Sequence, residues 1–133
     1  MKTNRFLSGA IGVALLLGVV PQALSAVTEV DFNLKSTEAL YNLCSVEPKD
    51  PNYIAAIYGC RGFIAGAVLY HDAVSDRKQL KPLICYPESA TIHDGRLAFV
   101  KWAEANRDNQ KMMQEVPVVG LVRALAAKYP CAS

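Results

Sequence analysis

Six cysteine and histidine side chains in this 133-residue sequence could supply a thiolate nucleophile, an imidazole base or a sulfur or nitrogen metal ligand: Cys44, Cys60, Cys85, Cys131, His71 and His93. Structural zinc sites built from thiolates are mostly closed by C-x-x-C knuckles. Here 15, 24 and 45 residues separate successive cysteines, and no knuckle occurs. Neither histidine has a ligand-type residue one helical turn away, as a metal or nucleophile–base site would require. The nearest acid to His71 is Asp72, its sequence neighbour, and adjacent side chains diverge on a helix. Asp94, beside His93, is explained as a helix cap. No phosphate-cradling glycine loop or G-x-S-x-G elbow is present. These residues therefore predict no catalytic centre, no metal site and no cofactor. An even number of cysteines in a small exported domain instead predicts two disulfides, with three possible connectivities.

Export is read from the N-terminus. Lys2 and Arg5 precede an uncharged apolar run from Phe6 to Val20, and Ala23-Leu24-Ser25 fits the small-residue rule for signal cleavage. The apolar run is short for a membrane span of ~20 residues. A secretory signal peptide over residues 1–26 is expected, with cleavage after Ser25 or Ala26, leaving residues 27–133 as a single domain. Lys2 and Arg5 leave with it, so the mature chain carries twelve basic and twelve acidic residues. Without net charge, nothing electrostatic draws it to nucleic acid or to an anionic membrane.

The elements that would position these residues read as helices. Ser36 or Thr37 caps a short helix, "TEALYNLCS"; Pro48 and Pro51 then break the pattern. A long helix from about Asn52 to Asp76 follows, with Tyr53, Ile57, Cys60, Ile64, Ala67 and His71 at helical spacing. Thr91 and Asp94 form a capping-box pattern for a third helix, "IHDGRLAFVKWAEAN". "RDNQKMMQEV" reads as a polar connector, and Pro117 opens a last helix ending at Pro130. Sustained strand alternation is missing from the mature chain. The predicted fold is all-α, a bundle of about four helices braced by two disulfides. A helical hairpin would bring Cys44, at the end of the first helix, to Cys60, two turns into the second, which leaves Cys85 to pair with Cys131.

Ala55, Gly59, Gly62 and Gly66 form one stripe along the long helix, at i, i+4, i+7 and i+11. Each helical glycine costs about 1 kcal/mol relative to alanine. A stripe of small residues offsets that cost if another helix packs closely against it. The partner is either a helix of the same chain or a second copy. Two polar stretches, "HDAVSDRKQLKP" and "EANRDNQKMMQE", are candidates for recognition.

Leu40-Tyr41-x-Leu43-Cys44, Cys60-Arg61-Gly62-Phe63-Ile64-x-Gly66, Cys85-x-Pro87 and Ala124-Leu125 through Tyr129-Pro130-Cys131 together resemble the Rap/Tai family, the immunity proteins of type VI secretion amidase effectors. The resemblance spans nearly all of the mature chain. It implies a periplasmic, all-helical, non-enzymatic protein that binds a peptidoglycan amidase of the cysteine type and occludes its cleft, in several members as a homodimer. Asp72 stands where the family often carries an acid after "FIAGAV". For such an inhibitor, the exposed end of the long helix supplies the expected effector contacts: His71, Asp72, Asp76, Arg77 and Lys78. Two other classes compete, a periplasmic chaperone or stress protein and an envelope assembly subunit.

Overall fold

The computed structural model describes residues 26–132. The expected leader lies outside the described residues except for Ala26. Five helices follow a 3-10 turn at Asp31–Asn33: α1 Thr37–Ser45, α2 Tyr53–Lys78, α3 Ile92–Ala105, α4 Gln110–Met113 and α5 Pro117–Lys128. No strand occurs among the described residues. The all-α expectation holds, with α4 added inside the stretch read as a connector.

Local chemistry accounts for the boundaries. The Ser36 hydroxyl caps α1 by accepting from the Ala39 N–H at 3.1 Å. Thr91 and Asp94 complete their capping box: the Thr91 hydroxyl accepts from the Asp94 N–H, and the Asp94 carboxylate accepts from the Thr91 N–H at 2.9 Å. Pro117 begins α5, where its missing N–H costs no helical hydrogen bond. At the end of α2, Gln79 turns left-handed with φ 50°, and the Leu80 N–H reaches the Ser75 carbonyl at 3.0 Å. Arg77 and Lys78 in that last turn complement the negative end of the helix.

α1 is the centre of the molecule, with α2, α3, α4 and α5 packed around it. Leu40, Leu43 and Cys44 of α1 meet Cys60 and Ile64 of α2, Phe99 and Ala103 of α3, and Leu121 and Leu125 of α5 in one buried cluster. Val27 and Ile84 close it from the two non-helical segments. Both expected disulfides are formed. Cys44–Cys60 lies in the core, and Cys85–Cys131 ties the segment after α2 to the C-terminus.

Among the described glycines, the one with least room for a Cβ lies outside the predicted stripe. A Cβ on Gly120 of α5 would collide with Cγ2 and Oγ1 of Thr37, the first residue of α1. Thr37 is fully buried, and its N–H and hydroxyl both donate to the Glu115 carbonyl, at 2.8 and 3.1 Å. Gly120 thus allows the N-terminus of α1 to rest on α5 and on the turn before it. In α3, a Cβ on Gly95 would come into ordinary contact distance of Ile64 and Leu125.

Candidate functional site

The predicted effector contacts occupy the last two turns of α2, where they divide into two groups. His71 and Asp72 are turned toward the segment that follows the helix. The His71 Nδ1 lies 3.0 Å from Asp72 Oδ1, and its Nε2 accepts the Leu83 N–H at 3.1 Å. An accepting Nε2 assigns the proton of the neutral ring to Nδ1, which donates to Asp72. The expectation that these neighbours diverge is therefore corrected. The return of residues 79–86 along the helix supplies partners that draw both side chains to the same side.

Tyr86 completes the group by donating its hydroxyl proton to Asp72 Oδ2. Burial acts to raise the Asp72 pKa, but hydrogen bonds from Tyr86 and His71 outweigh it and hold the carboxyl below its ordinary value. Tyr86 is pushed up to about 12 by burial, by its bond to Asp72 and by the nearby charges of Asp72 and Asp76. His71, Asp72 and Tyr86 together act as a clasp. With the Cys85 N–H bonded to the Tyr129 carbonyl at 2.9 Å and the adjoining disulfide, they fasten residues 79–86 as a strap across the end of α2. All four cysteines are disulfide-bonded, and both ring nitrogens of His71 are engaged, so the clasp offers a rigid end to the helix.

Asp76, Arg77 and Lys78 form the second group. They are exposed at the tip, beside Leu80 and Leu83 of the strap, which are also exposed. No ion pair links these three charges to another described residue. A short tip therefore presents charges of both signs together with exposed apolar side chains. On α3, Arg96 is committed to the fold: its Nε donates to the Cys44 carbonyl at 2.8 Å, in the last turn of α1.

The outward face of α2 is the feature that sequence reasoning had only in outline. Ala55, Gly62 and Gly66 are exposed, and a Cβ on Gly62 or Gly66 would meet nothing within 4 Å. Only Gly59 lies near another helix, with Leu43 of α1 3.7 Å from the place a Cβ would take. The stripe is real as a run of small residues, but close packing by a helix of the same chain is not what it serves. The inner face of α2, through Ala56, Cys60 and Ile64, already makes those contacts. Around the open glycines stand Tyr58, Leu69 and Tyr70, the last 72% exposed. An apolar surface of this kind on a small protein marks an interaction site. α2 is also the described helix long and apolar enough by composition to cross a membrane. Its inner face, however, is committed to the core and to the buried disulfide. Apolar residues on both faces hid the distinction from the sequence, since between Tyr53 and Tyr70 the helix carries a single charge, Arg61.

A family model described as Rap1a immunity proteins matches residues 36–131, from the cap of α1 to the last cysteine. The chain belongs to that family. Membership points to an immunity protein for a secreted effector, and so to a partner protein bound by the surface rather than to a small-molecule pocket. The two disulfides fit an exported protein. No curated protein and no solved structure matches the chain.

Proposed function

We propose that this protein is a periplasmic immunity protein that binds and occludes the active site of a peptidoglycan amidase of the cysteine type, delivered by type VI secretion. It protects the producing cell from its own effector and from that of sister cells. The observation that carries this reading is the family match over 36–131. The structure adds a surface suited to the task, the braced tip of α2. Asp76, Arg77 and Lys78 project there beside Leu80 and Leu83, and the clasp and the second disulfide limit the ordering entropy of binding. The protein works by stoichiometric binding, without catalysis or cofactor. His71 and Asp72 support this tip from within rather than touching the effector first.

A homodimer belongs to the same reading. The open glycines and the exposed Tyr58, Leu69 and Tyr70 give α2 a face onto which a second copy can pack. Export through a cleaved signal peptide places the protein where its disulfides form and where such an amidase acts.

Co-expression tests the proposal. A cysteine amidase encoded beside this gene is directed to the periplasm with and without the protein, and lysis is followed by optical density. Rescue that disappears when residues 1–25 are deleted is the expected result. Unchanged lysis with both proteins confirmed in the periplasm, across a panel of such amidases, would reject this function.

A further inference from the structure

The first described residues are bound into the fold. The Ala26 N–H donates to Asp50 Oδ2 at 2.8 Å across 24 residues of sequence. Val27 is 2% exposed and belongs to the core cluster, and the Asn52 side-chain amide donates to its carbonyl at 3.2 Å. The Thr28 N–H and hydroxyl both donate to Asp31, whose other carboxylate oxygen accepts from Asn42 of α1. Ala26 itself is exposed, at the edge of a cleft lined by Asn42, Val46, Glu47, Lys49 and Asp50. The boundary between exposed and core backbone therefore falls between Ala26 and Val27.

We propose that the chain is processed at the Ser25–Ala26 bond and that the α-ammonium group this frees on Ala26 forms an ion pair with Asp50. The inference rests on the export reading. Hydrolysis adds one water across the peptide bond, leaving a carboxylate on Ser25 and an amine on Ala26 that is protonated at neutral pH. The nitrogen that donates to Asp50 as a neutral amide then does so as a cation, adding a charge–charge attraction to a hydrogen bond whose acceptor is already ionised. Cleavage one residue later would place the new charge on Val27, inside the apolar cluster, where an ammonium is costly. It would also discard the Asp50 contact. Ala23 and Ser25 then stand three and one residues before the cut, as the small-residue rule asks.

The charges facing the new terminus are those of the cleft and its neighbours. Asp50 is the nearest. Glu47 is already paired with Lys49 at 2.8 Å, and Asp31 is held by Thr28 and Asn42. Asp50 also accepts the Asn52 N–H through its other oxygen, 2.8 Å away. That bond orients the carboxylate at the start of α2, so processing strengthens a tie that already joins the α1–α2 connection to Ala26.

The experiment has two stages on the full-length chain exported to a bacterial periplasm. Intact mass and N-terminal sequencing of the purified protein should give a chain starting at Ala26. A start at Val27 would overturn the proposal while leaving export intact. Retention of residues 1–25 would sink the export reading as well. The α-amine of the mature protein is then titrated by NMR through the Ala26 methyl signal. Paired with Asp50, it should titrate about half a pH unit above the ordinary value near 8. Asp50→Asn, which keeps an oxygen for the Asn52 N–H, should return it to that ordinary value. Equal midpoints in the two proteins would refute the ion pair. A Glu47→Gln variant that removes the shift in place of Asp50→Asn would refute the assignment to Asp50.

Discussion

Gly62 and Gly120 both lie inside helices with ordinary backbone angles, yet they should respond oppositely to a single added methyl group. Neither has a positive φ. At Gly62 the methyl meets nothing within 4 Å. Gly62→Ala then recovers the helix-propensity cost and should stabilise the monomer by about 1 kcal/mol. At Gly120 the same propensity gain is available, but the methyl collides with Thr37. Thr37 cannot move aside freely, because its N–H and hydroxyl are tied to Glu115 and it has no solvent exposure. Overpacking of this kind costs roughly 1–3 kcal/mol, and breaking the threonine's hydrogen bond adds about 1 kcal/mol. The net expectation for Gly120→Ala is a loss of about 2 kcal/mol. In a domain of this size, that lowers Tm by roughly 8 °C, against a rise of about 4 °C for Gly62→Ala. Thermal unfolding followed by circular dichroism, at low protein concentration and with disulfides intact, reads both. A Gly120→Ala variant as stable as the parent would refute the packing described for α1 on α5.

Further outcomes follow from the same structure. Replacing Cys85 and Cys131 by alanine opens a loop of sequence separation 46 and should cost roughly 4 kcal/mol, against about 3 kcal/mol for Cys44 and Cys60, measured by urea unfolding. Asp72 has a lowered folded-state pKa, so its contribution is present above the ordinary value of 3.8 and is lost as pH falls below it. Tyr86 has a raised one, so its contribution is present below pH 10 and is lost between pH 10 and about 12. Tyr86→Phe should accordingly flatten the alkaline limb of a Tm–pH profile, and an unchanged limb would deny the clasp. Gly62→Leu should abolish a dimer detected by light scattering while the monomer stays folded. A dimer that survives it does not use this face.

How far the sequence reveals this molecule depends on how local each cause is. The Thr91–Asp94 capping box, Pro117 and the ends of α2 were legible because each rests on a few adjacent residues. The disulfide pairing was legible because a short breaker between two helices leaves Cys44 and Cys60 one plausible meeting point. α4 was not, since its four residues carry one buried side chain, Met113, in an otherwise polar stretch. The 3-10 turn before α1 was not legible, since it depends on Asp31 accepting from Thr28 and Asn42. The role of Gly120 was illegible because it depends on Thr37, 83 residues away in sequence. The sequence marked His71 and Asp72 as surface contacts, and their clasp was hidden because it needs Leu83 and Tyr86, which arrive only when the strap folds back. For the tip itself, the sequence located the exposed charges and the structure separates those that face outward from those that hold it in place.

The central claim is that this protein inhibits by binding through the tip of α2. The most direct measurement is a titration of a purified cognate cysteine amidase, with peptidoglycan hydrolysis as the readout, using the mature protein and an Asp76→Ala, Arg77→Ala, Lys78→Ala variant. Hydrolysis should fall to zero at one equivalent of the mature protein, and the triple variant, with unchanged helicity, should require a large excess. Full inhibition by the variant at one equivalent would contradict the account of the interface, and undiminished hydrolysis with the mature protein in excess would contradict the function.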